Sequence, residues 1–217
     1  NQGLMEATNS GVLDIQSTTI NNAGGTITAK GSAATVELVS SDIQGGTLTT
    51  TSGGTLGAFS SGVTLDGTTN GALTVSTGST YTGEGNSQTT VLGTITNKGN
   101  IQLNGGGGTN TYVFVGGNTT LQGGGTVTMT TPTTNGGNTY LYNTVSGVTL
   151  TNVNNTIQGE GLLGDGQGLA IVNQSGGTIN ANSTAGTLGT TLTVQTTGGV
   201  TNAGLMEASN SGVLEIY

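Results

Sequence analysis

Residues Ile20 to Ala29 read INNAGGTITA, a stretch that joins a glycine turn to a short alternating segment. In Thr26-Ile27-Thr28 an aliphatic side chain stands between threonines, so an extended chain sends it to one side and the hydroxyls to the other. The adjacent glycines can adopt the positive φ that a tight corner needs. The same Gly-Gly-Thr-aliphatic phrase recurs at Gly45 to Leu48, Gly53 to Leu56, Gly124 to Val127 and Gly176 to Ile179. The phrase predicts short, half-buried strands separated by glycine corners.

The spacing of the apolar anchors indicates how these strands are arranged. The anchors follow one another at intervals of 18 to 23 residues, at Ile20, Ile43, Val63, Tyr81 and Ile101. This interval matches one coil of a parallel β-helix, in which stacked coils share a continuous core. We therefore predict an all-β solenoid of roughly ten coils. Longer turns are expected at 104–110 and 131–139.

Asparagine pairs at two predicted corners, Asn21-Asn22 and Asn154-Asn155, predict stacked amide ladders. A β-sandwich is the competing architecture, since it also uses many short strands and turns. Antiparallel sandwiches seldom repeat a Gly-Gly-Thr-aliphatic corner, and they usually carry more than the 3% aromatic residues found here. Disorder is disfavoured because the apolar residues alternate and only 6% of the residues are charged.

A second, longer period is visible at the two ends of the sequence. Asn1 to Ile15 read NQGLMEATNSGVLDI, and Asn202 to Ile216 read NAGLMEASNSGVLEI, with 12 of 15 positions identical at an offset of 201 residues. Self-similarity at a fixed spacing is the signature of a repeat protein. We predict that residues 1–201 form one solenoid unit and that residues 202–217 begin the next. The core residues expected from the first copy are Leu4, Met5, Val12, Leu13 and Ile15.

Composition excludes several classes of function. The formal net charge is −8, and Lys30 and Lys98 are the only cationic side chains. A nucleic-acid interface needs a basic footprint to neutralise phosphates, so that class is excluded. No run of eighteen apolar residues occurs, and hence no membrane insertion is predicted for this segment. The predicted partners are adjacent repeat units of the same chain, with assembly into a homo-oligomer or fibre.

Three short motifs carry a resemblance to a known family. Asn-x-Gly followed by an aliphatic residue begins at Asn1, Ser-Gly-x-Leu-x-Ile at Ser10, and Asn-x-Gly-Gly-Thr-Ile at Asn22, with later echoes at Asn97, Asn173 and Asn202. These motifs resemble the repeats of bacterial autotransporter passengers and filamentous-haemagglutinin-like adhesins. The resemblance implies a right-handed parallel β-helix, an extracellular or cell-surface location on a bacterium, and a role as a stalk or adhesin.

The acidic residues were considered as sites for catalysis and for metal binding. Carbohydrate-active enzymes on β-helices work with carboxylates and a base, and Glu160 and Asp165 are the two acids close enough in sequence to cooperate. We predict instead that both are solvated turn acids. Residues 159–172 read GEGLLGDGQGLAIV and loosely resemble a calcium-binding β-roll turn. Only one imperfect copy is present, so a single calcium ion near Asp165 is left open, and no cofactor is predicted.

The aromatic residues Tyr112, Phe114, Tyr140 and Tyr142 form the one local departure in composition. Rings can stack on sugars, and they can also fill a widened core or cap a loop. We favour packing, and we name this cluster with the adjoining 131–139 loop as the place to look for a ligand. The sequence therefore predicts a non-catalytic structural repeat. A glycan- or host-surface-binding module and a carbohydrate-active enzyme are the alternatives. Ice binding by Thr-x-Thr strands is a weaker one, because it requires coils in strict register.

Overall fold

The chain winds into a parallel β-solenoid of nine coils. The computed structural model describes residues 1–131, 136–183 and 190–217, and all regular structure within those ranges is β-strand. Each coil contributes one strand to each of three faces. Each strand pairs in parallel with the equivalent strands of the coils on either side. The predicted fold class is confirmed, with nine coils where roughly ten were expected.

The strands are numbered along the chain, and the three faces are named in the order in which a coil visits them. The first face contains β1 (Leu4–Thr8), β4 (Thr26–Lys30), β7 (Gly46–Thr51), β10 (Leu73–Val75), the second half of β12 (Gln88–Asn97), the second half of β14 (Thr111–Gln122), β17 (Thr149–Asn152), β20 (Ala170–Asn173) and β23 (Val200–Asn202). The second face contains β2 (Val12–Gln16), β5 (Thr35–Val39), β8 (Thr55–Ala58), β11 (Thr80–Gly83), β13 (Asn100–Asn104), β15 (Thr126–Thr130), β18 (Thr156–Gly159), β21 (Thr178–Ala181) and β24 (Leu205–Ala208). The third face contains β3 (Thr19–Asn21), β6 (Asp42–Gln44), β9 (Val63–Gly67), the first halves of β12 and β14, β16 (Thr139–Asn143), β19 (Gly161–Leu163), β22 (Thr191–Val194) and β25 (Val213–Ile216).

Two long strands, β12 and β14, cross a corner without a break. The register between them shifts between Val91 and Gly93, where the chain turns from the third face to the first. Gly93 has a positive φ of 65°. These strands join the first and third faces into one hydrogen-bonded sheet of 16 strands, whereas the second face is a separate sheet of nine.

Inward-facing side chains form columns along the solenoid axis. One column of the second face runs through Leu13, Val36, Leu56, Tyr81, Ile101, Val127, Ile157, Ile179 and Met206. From β5 to β21 its members are buried, and the two end residues pack against the core. Outward positions are mostly threonine, which tolerates water and favours strands. The alternation predicted from Thr-aliphatic-Thr segments is thus confirmed.

Coil length varies more than the sequence indicated. Register partners on the second face are 20 residues apart between Val36 and Leu56 and 30 apart between Val127 and Ile157. Connections from the first face to the second contain two to four residues. Those from the second face to the third range from the single residue Glu160 to the predicted longer turn, residues 105–110. Residues 132–135 of the other predicted turn, 131–139, lie outside the described residues.

Two of the predicted core residues of the opening motif point outward instead. Leu4 and Val12 are 61% and 62% exposed, because they lie in register with the outward-facing threonines of the next coil. Ile15 is buried, and Met5 and Leu13 pack against the core as expected. A strand alternates with a period of two, so adjacent apolar residues cannot both face inward.

The predicted amide ladder is confirmed, and it extends beyond the predicted pairs. Asn152 Nδ2 donates to Asn173 Oδ1 at 2.9 Å, and Asn173 Nδ2 donates to Asn202 Oδ1 at 2.8 Å. Asn97 Nδ2 donates to Asn155 Oδ1 at 3.0 Å, and the Asn155 backbone N–H donates to Asn152 Oδ1 at 2.9 Å. Asn97, Asn152, Asn155 and Asn173 have no exposed surface. The ladder therefore places a hydrogen-bonded polar column inside the corner between the first and second faces.

Two further buried polar groups stabilise the early coils. The Tyr81 ring fills the core, and its hydroxyl lies 2.7 Å from Thr89 Oγ1. Burial raises the pKa of Tyr81 well above its usual range, so the hydroxyl is neutral at physiological pH. Burial alone would also raise the pKa of Asp66. Hydrogen bonds from the Thr69 hydroxyl and from the backbone N–H groups of Thr68 and Thr69 outweigh that effect, and the pKa lies below its ordinary value of 3.8.

Candidate functional site

The aromatic cluster of Tyr112, Phe114, Tyr140 and Tyr142 lies on the outside of the third face. Along β14 the alternate residues, among them Val113, are buried, and β16 follows the same pattern. Strand alternation therefore places all four rings on the solvent side, where each is half-buried. The suggestion that they fill a widened core is wrong, because that space is taken by the small and aliphatic residues between them.

The four rings pack on one another. Register pairs Tyr112 with Tyr140 and Phe114 with Tyr142. The Tyr112 and Tyr140 centroids are 5.1 Å apart with planes 21° from parallel, and those of Tyr112 and Phe114 are 5.5 Å apart at 26°. Tyr142 stands edge-on to its neighbours, at 84° to Phe114. Such pairs contribute about 0.5–1.5 kcal/mol each beyond their buried area, so the cluster stabilises the contact between two coils.

Polar groups surround the rim of the cluster. Asn110 Nδ2 donates to the Tyr112 hydroxyl at 2.8 Å. The pKa of Tyr142 is raised, first by burial and then by the nearby Tyr112, Asp165 and Tyr140. The phenol of Tyr142 is therefore a neutral donor and acceptor at physiological pH. This arrangement offers hydroxyls and ring edges to a ligand, while the faces of Tyr112 are covered by its neighbours.

Glu160 was predicted to be a solvated turn acid, and this prediction is wrong. It is 3% exposed and is the only residue between β18 and β19. Its Oε1 accepts a hydrogen bond from the Thr131 backbone N–H at 2.9 Å, and its carbonyl accepts one from Thr139 Oγ1 at 2.8 Å. Within the described part of the chain, Glu160 Oε2 and Thr131 Oγ1 have no partner. The sequence gave no signal for this burial, since the residue stands between two glycines.

A small cavity opens beside Glu160. Its volume is about 190 Å³, and it is lined by Thr131, Asn138, Glu160, Gly161, Leu162, Thr191 and Thr193. Thr131 and Asn138 are described ends of the predicted 131–139 loop, which therefore adjoins the cavity. The lining is largely hydroxyl, amide and carboxylate, so the space suits water or another small hydrogen-bonding group.

The acids considered for catalysis and calcium binding lie at opposite ends of one short strand. Glu160 precedes β19, and Asp165 follows it in a turn where its φ is 44°. Among the described residues, no three His, Cys, Asp or Glu side chains are grouped closely enough to hold a metal ion. Calcium binding near Asp165 remains a prediction from the Gly-Asp turn.

Comparisons with protein families, with curated proteins and with solved structures each gave no match. The class defined by the coordinates is therefore a three-faced parallel β-solenoid, and the resemblance to autotransporter and haemagglutinin-like adhesins stays a prediction from the sequence motifs. None of the described residues forms a helix with the length and hydropathy of a membrane span.

Proposed function

We propose that this chain is a non-catalytic structural repeat of a large bacterial surface or secreted protein, in which stacked coils form a rigid stalk or fibre for adhesion. The observation that carries the proposal is the continuity of the parallel ladders through nine coils, each coil being hydrogen-bonded to the next. Bending such a rod would stretch many ladder bonds at once. At about 4.8 Å per strand, nine coils span roughly 40 Å, so length grows in proportion to the number of units.

The buried side-chain ladder supports the same role. The chain of hydrogen bonds from Asn97 through Asn155, Asn152 and Asn173 to Asn202 ties coils together independently of the backbone ladders. Fully satisfied buried networks fix one arrangement of the groups that they join. The function that follows is mechanical, since the rod holds whatever lies at its end at a set distance.

Cell-surface labelling tests the location that the proposal requires. Antibodies raised against this chain should label intact cells that express the parent protein, and external protease should remove the label without lysis. Deletion of the segment in frame should shorten the surface projection and reduce attachment to host cells. Labelling that requires permeabilised cells would contradict the proposal.

The aromatic cluster supports a second candidate, a glycan- or host-surface-binding module. Four rings with free hydroxyls and edges lie together on an outer surface that is otherwise mostly threonine and glycine. A glycan-array screen should then give signals that fall at least tenfold with Tyr112→Ala or Tyr140→Ala. Tyr217→Ala serves as the matched control, because Tyr217 is 70% exposed and lies outside the cluster. Equal binding by all three variants would remove this candidate.

A further inference from the structure

The two copies of the opening motif lie on different faces of the solenoid. In the first copy, β1 belongs to the first face and β2 to the second. In the second copy, β24 pairs with β21 on the second face, and β25 pairs with β22 on the third. Each strand of the motif has therefore moved on by one face after 201 residues.

The inward and outward positions of the motif are unchanged by this shift. Leu4 and its counterpart Leu205 both point outward, at 61% and 47% exposed. Met5 and its counterpart Met206 both pack against the core. The motif therefore occupies an equivalent environment on either face, and its second position is not a slipped register, which would turn these side chains over.

The corner asparagine of the motif shifts by one corner in the same way. Asn1 Nδ2 donates to Asn22 Oδ1 at 2.8 Å, at the corner between the third and first faces. Its counterpart Asn202 accepts from Asn173 Nδ2 at 2.8 Å, at the corner between the first and second faces. Asn202 thus receives a hydrogen bond from the preceding coil, while Asn1 donates one to the following coil. In a tandem of units, a single asparagine would make both bonds and continue the ladder.

We infer that the 201-residue unit advances by eight turns and one further face, so that consecutive units are related by a rotation of a third of a turn about the rod axis. The inference rests on the proposed role as a tandem structural repeat. A rise of about 4.8 Å per coil gives roughly 40 Å per unit and roughly 120 Å before the same face returns. The partner surface is the next copy of the unit, which stacks on β23, β24 and β25. The aromatic cluster would then appear on the third, first and second faces in succession.

Engineered disulfides test the placement of the second motif in this chain, which has no cysteine of its own. Asn180 and Glu207 are register partners on the second face, with Nδ2 and Oε1 2.8 Å apart. Strand neighbours lie within the Cα separation that a disulfide spans. Asn180→Cys with Glu207→Cys should oxidise to an intramolecular disulfide, seen by intact mass and by gel mobility without reductant.

Two control pairs make the result decisive. Gln102→Cys with Thr128→Cys joins register partners on the same face in the middle of the rod and sets the oxidation conditions. Val172→Cys with Glu207→Cys would oxidise only if the second motif lay on the first face, above β20. Oxidation of this last pair, or failure of the 180/207 pair where the 102/128 pair oxidises, would overturn the inference and leave the structural role intact.

A tandem of three units tests the rotation itself. Thr144 is exposed just after β16, so Thr144→Cys in each unit allows one biotin and one streptavidin per unit. Electron microscopy should show rods about 120 Å long with labels on three sides, each a third of a turn from the last. Labels in one straight line would refute the rotation alone. Compact or flexible particles without a rod would refute the proposed structural function as well.

Discussion

Replacing Asn152 by alanine should destabilise the solenoid far more than the same replacement at an outer asparagine. Asn152 Nδ2 donates to Asn155 O and Asn173 Oδ1, each at 2.9 Å, and its Oδ1 accepts from the Asn155 N–H at 2.9 Å. Three bonds at about 1 kcal/mol each, with a further 1 kcal/mol or so for the orphaned Asn155 N–H, give a loss of roughly 4 kcal/mol. Because Asn152 has no exposed surface, water cannot replace the lost partners without opening the corner.

Asn180→Ala is the matched control for this experiment. Asn180 is half-buried on the outer side of β21, where it donates to Glu207 Oε1 at 2.8 Å. Water can replace that partner, so the free energy of unfolding should fall by less than about 1 kcal/mol. Both variants are compared by urea denaturation followed by circular dichroism. Hydrogen exchange across residues 149–181 then reports whether the loss is local, as expected for a repeat protein whose coils contact only their neighbours. Losses that agree within about 0.5 kcal/mol would refute the claim that the ladder stabilises the fold.

Three other changes have definite expected outcomes. Since Asp66 has a lowered pKa in the folded chain, its contribution to stability is full above its unfolded value of 3.8 and is lost as pH falls through the folded pKa; Asp66→Asn should flatten that acid limb in denaturation measured from pH 6 to pH 2, and an unchanged limb would contradict the assignment. Gly57→Ala should prevent folding or cost several kcal/mol, because a Cβ would lie 1.8 Å from a backbone oxygen, whereas Gly117→Ala, whose nearest contact is at 3.5 Å, should fold and show a similar melting temperature. Tyr81→Phe keeps the ring and removes the bond to Thr89, so thermal melting should report a loss of about 1 kcal/mol; no loss would show that this bond adds nothing.

The solenoid could be predicted because its local signals agree with one another. Thr-aliphatic-Thr alternation and glycine corners occur in most coils, and each points to the same strand-and-corner geometry. The division into three faces could not be predicted, since strands on all faces carry similar residues. Val63 and Tyr81 illustrate this: they were treated as successive anchors of one column, yet they lie on the third and second faces. Mixing faces shortened the apparent coil and raised the coil count from nine to ten.

The candidate sites were located less well than the fold. The positions of Tyr112, Phe114, Tyr140 and Tyr142 as one cluster followed from the sequence, because coils of similar length bring their two strands together. Their outward direction depends on which residue of each strand enters the core, and Thr111 and Thr139 rather than the rings do so. The burial of Glu160 depends on a one-residue corner, a feature that composition does not reveal.

The uneven lengths of the corners have a consequence for how such a rod can acquire new functions. The corner between the second and third faces already accommodates one residue in one coil and six at residues 105–110 in another, while the strand columns on both sides stay in register. Gly107, at the tip of the longer turn, has no neighbour within 4 Å of its missing Cβ. This edge is therefore a natural attachment line, where inserted peptides or whole domains could be displayed at heights set by the coil number.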